Sequence, residues 1–209
     1  MDQAWKNRQN ILDVLGRLQR GPQIITPKDM AAILSCTGAG PGDRVVDAGT
    51  GSGFLAIFLA NYVRPGKVVT YENDRRFVEL ARKNIKKSGL EEFIKLKSRD
   101  VTRGVAERNV DLVTLDMKNS HKVVKLAYNA LKLGGWIAVY SPTAESLRAA
   151  AREIRKSGFC EIKTVESIAR EWQTERTTRP KTMGLMHTGF LTFARKPKPE
   201  KNKIKKSKE

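Results

Sequence analysis

Two periods alternate along this chain. Short apolar runs suited to buried strands are separated by stretches whose apolar residues recur every three or four positions, as on one face of a helix. Residues 1 to about 20 are polar and basic but carry Trp5, Ile11, Leu12, Leu15 and Leu18, and the last four are spaced to share a helix face. Gly21-Pro22 stops that helix, and 23–29 reads as an extended link, because residues before prolines are kept out of the helical region. A second helix begins near Pro27 and buries Met30, Ile33 and Leu34. Val45-Val46-Asp47 then forms a strand that runs into Gly49, Gly51 and Gly53, with a helix following at once through Phe54, Leu55, Ile57, Phe58 and Leu59. Pro65-Gly66 turns the chain into a second strand, 67–72. Its helix has Asp74 as N-cap, Phe77, Leu80, Ala81 and Ile85 along one face, and Gly89 past its end. A third strand over 94–97 leads to Ser98-Arg99-Asp100, and a fourth spans 110–116. A helix over 121–131 passes through Gly134-Gly135 to a fifth strand at 136–140, and Thr143 caps a helix running to Ser157. Two late strands, 160–168 and 187–194, close the pattern.

Regular alternation of apolar strands and helices predicts an α/β fold, a doubly wound and mostly parallel sheet of seven strands covered on both faces. The two closing strands have no helix between them, so they are expected to form a hairpin that leaves the last strand antiparallel to the rest. At 209 residues the chain reads as one domain over 21–196, preceded by a helical extension over 1–20 and followed by a disordered basic tail over 197–209.

Charge narrows the class of partner. There are 40 Lys+Arg against 22 Asp+Glu, a formal net charge of +18, and setting aside the eight basic and two acidic residues of 195–209 still leaves +12. A positive field spread over the body points to a polyanion, most often nucleic acid. Cys36 and Cys160 stand far apart in apolar settings and read as buried thiols of a reducing compartment, not as a disulfide or metal site. No apolar run reaches the roughly 18 residues of a membrane span, and no signal peptide is evident, so a cytoplasmic protein without membrane contact is expected.

The chemistry gathers at Asp47-Ala48-Gly49-Thr50-Gly51-Ser52-Gly53. A strand–turn–helix built on three alternate glycines lets backbone N–H groups and a helix N-terminus approach a ligand closely. A dinucleotide-binding turn would place its third glycine at position 54, which is Phe. The acid two residues before the first glycine suits a ligand with a cationic amino group better than one with a phosphate. Asp47, Glu72, Asp100 and Asp116 all close strands, and the ligand crevice of such a sheet lies at those ends. Singly, each acid has a plainer reading as a cap or turn residue. Together they suit a nucleoside ligand, Glu72 accepting two ribose hydroxyls and Asp100 an adenine amine, with Asp116 facing the open side.

The glycine segment resembles the first motif of class I methyltransferases that bind S-adenosylmethionine, which implies the Rossmann-like fold of that class. A narrower resemblance covers about 21–196. Gln23-Ile24-Ile25-Thr26-Pro27-Lys28-Asp29, the glycine loop, Tyr140-Ser141-Pro142-Thr143, Arg170-Glu171-Trp172, Thr178-Arg179-Pro180 and His187-Thr188-Gly189-Phe190-Leu191 together are similar to the tRNA (adenine-N1)-methyltransferase family. The resemblance implies S-adenosylmethionine held by Gln23, Asp47, Gly49, Thr50, Gly51, Ser52, Gly53, Glu72, Asp100 and Asp116. It implies catalytic roles at the target adenine for Asp116 and Tyr140, substrate contacts from Arg179 and His187, tRNA as partner, no metal, and a homo-oligomer of two or four chains. His187 has an equally good plain reading as a strand-end histidine with a satisfied hydrogen bond.

Three features depart from the family. Where it has Asp-Leu-Pro-Asp-Pro, this chain reads Asp116-Met117-Lys118-Asn119-Ser120; Thr26 replaces a tyrosine; and only about 20 residues stand where a small β domain is usual. Two other readings therefore stay open: a catalytically idle RNA-binding subunit of a methyltransferase complex, and a methyltransferase acting on a protein carboxylate or small molecule.

Overall fold

The computed structural model describes residues 10–21, 23–181 and 187–199. Of the leading segment, the described part holds one short helix, α1 (Ile11–Gly16), and Trp5 lies outside the described residues. Ile11, Val14, Leu15 and Leu18 face the core, whereas Leu12 points out at 52% exposure, so the apolar stripe runs through Val14 and not Leu12. Helix α2 (Pro27–Thr37) starts on proline, whose fixed φ and missing N–H suit a first turn, and ends on Gly38 in the left-handed conformation.

The sheet is laid down by β1 (Arg44–Ala48), β2 (Lys67–Glu72), β3 (Ile94–Ser98), β4 (Val110–Leu115) and β5 (Leu131–Ser141), all parallel. Between them run α3 (Phe54–Val63), α4 (Arg75–Ser88) and α5 (Val124–Ala130), the last entered through a 3₁₀ turn at Ser120–Val123. Helix α6 (Ala144–Lys156) then begins with a capping box, in which the Thr143 hydroxyl accepts from the Ser146 amide and Ser146 answers to the Thr143 amide. Strand β6 (Cys160–Glu166) lies at the sheet edge, and β9 (Phe190–Arg195) inserts between it and β5, antiparallel to both. Strand order is β3-β2-β1-β4-β5-β9-β6, the seven-stranded doubly wound sheet expected, with its last strand reversed. In the excursion between β6 and β9, β7 (Trp172–Gln173) and β8 (Arg179–Pro180) pair in a small separate hairpin that no apolar run announces.

Two cores flank the sheet. One packs α1, α2, α3 and α4 against one face; the other packs α5, α6 and the 3₁₀ turn against the opposite face. Nine of the ten residues of α3 are buried, which is why its sequence is apolar on every side: it lies between the sheet and the α1–α2 layer. Cys36 and Cys160 are only half-buried. Among the described residues no helix is long and apolar enough to cross a membrane. From residue 200 onward the expected tail lies outside the described residues.

Candidate active site

Strand order reverses between β1 and β4, and the crevice at such a switch point opens at the carboxyl ends of the strands. The loop leaving β1 forms its floor. Gly51 and Gly53 adopt positive φ, 54° and 87°, which a side chain would oppose. Gly49 is required by close approach instead: a Cβ there would stand 3.3 Å from the Asp116 carbonyl and 3.7 Å from Glu72 Oε2. The absent side chain is what lets the ends of β1, β2 and β4 converge, and the Asp116 amide closes the gap by donating to the Ala48 carbonyl at 2.6 Å.

Glu72 holds the loop from the next strand. One carboxylate oxygen accepts from the Gly51 amide at 2.9 Å, and the other accepts from the amides of Asn73 and Asp74 at 2.9 and 3.0 Å. Thr50 ties the same loop down through its amide to the Tyr71 carbonyl, and its hydroxyl lies 2.6 Å from that of Thr70.

The Asp47 carboxylate is fully buried, accepting from the hydroxyls of Thr70 at 2.7 Å and Thr114 at 2.6 Å. The side-chain alternation of β1 directs it into the sheet layer, where its neighbours on β2 and β4 are Thr70 and Thr114. Burial pushes its pKa up to about 6, against the pull of the two threonines and with a further push from the Glu72 charge. That charge reaches Asp116, half-buried at the end of β4, whose pKa is driven to about 7 by burial first and by Asp47 second.

The remaining predicted residues divide. Asp100 takes its plainer role and caps the turn Val101–Arg103, accepting from the Thr102 amide and hydroxyl at 2.9 and 2.7 Å, which lowers its pKa. The neighbouring Arg99 amide donates to the Glu72 carbonyl at 2.8 Å, which ties the end of β3 to that of β2. Tyr140 lies at the end of β5, buried, its hydroxyl donating to the Thr188 carbonyl. Its phenol is pushed up to about 12 by burial, then by the charges of Asp29 and Asp116. His187 is exposed and bridges Glu166 (2.5 Å) and the Pro142 carbonyl (3.4 Å); the Glu166 bond raises its pKa. Arg179 is exposed on β8, and Gln23 is exposed on the segment that follows α1. Among the described residues no ion pair joins Lys118 to Asp116, and Asn119 takes the left-handed φ of 58° that Asn tolerates, turning the loop without prolines.

Sequence reasoning missed two anchors. Asn84 of α4, 2% exposed, donates to the carbonyls of Ser52 and Gln19 and accepts from the Gln19 amide, so that the strap after α1 is drawn over the glycine loop. A polar residue on the stripe of Ala81 and Ile85 is the signal that was available. Glu107 accepts from both Tyr71 and Lys97, pinning the segment that follows Asp100; nothing in its spacing marks it.

These residues fit a cationic nucleoside cofactor. A Cβ at Gly51 would meet nothing within 4 Å, so the loop is bare there; Glu72 bonds its amide, Asp116 closes the neighbouring strand, and the buried Ser52 hydroxyl has no hydrogen-bond partner among the described residues. Among the same residues no cluster of three or more His, Cys, Asp or Glu is placed to hold a metal.

Strand order, glycine loop and strand-end acids together define a class I S-adenosylmethionine-dependent methyltransferase fold. The profile of the tRNA methyltransferase complex GCD14 subunit matches residues 16–186, and the chain belongs to that family. The tRNA (adenine(57)-N(1)/adenine(58)-N(1))-methyltransferase TrmI of Methanocaldococcus jannaschii is 34% identical over 215 residues, covering 90% of this chain and 76% of that protein. Among solved structures, an S-adenosylmethionine-dependent O-methyltransferase of Thermotoga maritima matches with a TM-score of 0.85 at 32% identity, over 91% of this chain and 72% of the other. The tRNA (m1A58) methyltransferase TrmI of Aquifex aeolicus matches with a TM-score of 0.83 at 27% identity, over 91% and 77%.

Proposed function

We propose that this chain transfers a methyl group from S-adenosylmethionine to N1 of an adenine in tRNA. The observation that carries the reading is the convergence on one crevice of the glycine loop, Glu72 and Asp116, with Tyr140 close enough for the Asp116 charge to raise its pKa. The loop 49–53, Ser52 among it, and Glu72 would hold the cofactor, Asp100 would meet its adenine, and Gln23 would border it from the strap. The cofactor supplies an electrophilic methyl on a sulfonium. Transfer of that methyl to the N1 lone pair would break its bond to sulfur, leaving a neutral thioether, and the positive charge placed on the purine would be offset by the Asp116 carboxylate, accepting from the exocyclic amine and able to take its proton. The Tyr140 ring gives the base a face to stack on once it has left its pairing. Alignment in a dry site supplies much of the rate.

Recognition of tRNA rests on surface charge. Arg170, Arg176, Arg179 and exposed Trp172 share the β7–β8 hairpin and its flanks, a combination suited to phosphates and to a stacked base; His187, exposed beside Pro142, would add a further contact. A reaction on tRNA fits a cytoplasmic protein, and the half-exposed edge strand β6 is the surface through which two or four chains would assemble.

The loop Asp116-Met117-Lys118-Asn119 favours a second reading, an RNA-binding subunit without turnover. Incubation with bulk unmodified tRNA and labelled S-adenosylmethionine, followed by nucleoside analysis, separates the two: N1-methyladenosine is expected, and tight tRNA binding without any methylated product overturns the enzyme.

A further inference from the structure

Helix α2 opens with a charged pair that the cofactor does not use. The Thr26 N-cap makes no side-chain bond to the helix backbone; its hydroxyl donates to Asp29 at 2.7 Å. Asp29, only 1% exposed, also accepts from the Thr188 hydroxyl at 2.8 Å and from the Lys28 ammonium at 2.9 Å. Lys28 donates further to Thr188 Oγ1 at 2.7 Å and to the Ser167 carbonyl at 2.5 Å. Thr188 Oγ1 is thus held between a cation and a carboxylate, donor to one and acceptor from the other. The network joins the start of α2 to the exit of β6 and the entry to β9, 139 and 159 residues further along the chain.

Its far end touches the base pocket. The Thr188 carbonyl accepts the Tyr140 hydroxyl, and Gly189 presses so closely on that ring that a Cβ there would stand 2.5 Å from Tyr140 Cζ. A buried ion pair is weak support for stability, since desolvation offsets much of its attraction. What a satisfied buried network does supply is one fixed arrangement of the groups it joins.

We propose that Lys28 and Asp29 are positioning residues for the target base: by fixing Thr188 they hold the Tyr140 hydroxyl turned inward, so that Tyr140 offers the base its ring face and takes no part as acid or base. The phenol, pushed up to about 12, is a neutral group at physiological pH, consistent with that role. The inference rests on the methyl-transfer reading above.

The test uses the full chain, unmodified tRNA and saturating S-adenosylmethionine. Asp29→Asn, Thr188→Val and Tyr140→Phe should each lower kcat by about 10- to 100-fold, as small misplacements do, while affinity for S-adenosylhomocysteine stays within about twofold of wild type. Thr188→Val combined with Tyr140→Phe should be no slower than the slower single variant, because both release the same anchor. Tyr140→Ala should fall well below Tyr140→Phe. Wild-type kcat in both Asp29→Asn and Thr188→Val, multiplied effects in the double variant, or a Tyr140→Phe as inactive as Tyr140→Ala would each overturn the proposal. Should Asp29→Asn fail to fold, Thr188→Val carries the same comparison. If wild-type protein methylates no tRNA, the functional reading fails first; amide hydrogen exchange over 188–190 still reads the network, and unchanged protection there in Thr188→Val overturns it independently.

Discussion

Asp116 is the residue on which chemistry and pH meet. Its pKa is raised to about 7 by burial and by the Asp47 charge, so near neutrality it is divided between acid and carboxylate. If the carboxylate offsets charge on the methylated purine, the methylation rate should rise with pH through about 7 and then level, and Asp116→Asn should abolish that limb while lowering turnover by about 10²–10³-fold. Stability runs the other way. A carboxyl whose folded pKa lies above its unfolded value near 3.8 binds its proton more tightly in the folded chain, so its contribution is full below about 3.8 and is lost as pH rises through about 7. Asp116→Asn should therefore melt higher than wild type at pH 8, with the gap closing towards pH 4, when Tm is followed across that range. Glu72 makes a simpler case. Glu72→Ala should weaken S-adenosylhomocysteine binding tenfold or more by calorimetry, since each charge-assisted hydrogen bond contributes roughly 1.5–3 kcal/mol; unchanged affinity would remove Glu72 from the site.

Two elements lie outside the regular seven-stranded sheet. Asn84 bonds Gln19 and Ser52 at once and so ties the strap after α1 to the glycine loop, with Lys87 of the same helix donating to the Arg17 carbonyl at 2.6 Å. Asn84→Ala should therefore speed both association and release of the cofactor in stopped-flow measurements while costing about 1–3 kcal/mol in stability, the usual penalty for leaving buried partners unpaired. The β7–β8 hairpin stands apart from the main sheet, with Trp172 55% exposed. Trp172→Ala with Arg179→Ala should raise KM for tRNA and leave cofactor affinity alone; an unchanged KM would leave the hairpin without a part in docking.

At the scale of the molecule the +18 charge dominates. Binding of a polyanion by such a surface is driven largely by release of counterions, so tRNA affinity should fall steeply with salt. Truncation after Lys196, which leaves β9 whole, removes six of the basic residues and two of the acids and should flatten that salt slope without changing which nucleotide is methylated. A truncated chain with the wild-type slope would show that phosphates are met by the body alone.

Local signals were enough for the framework. Strand and helix periods, the glycines that permit positive φ, and the caps at Asp74 and Thr143 are properties of a few neighbouring residues, and they determined the doubly wound sheet and the glycine loop that leaves its first strand. The tertiary structure decided what depends on residues brought from far along the chain. Asp47 is buried against threonines on the two neighbouring strands, and Asp100 caps the turn that follows β3. Asn84 and Glu107 act through partners that no spacing along the chain indicates. The Lys28–Asp29–Thr188 network spans some 160 residues, a distance over which periodicity carries no information and only packing can choose the partner.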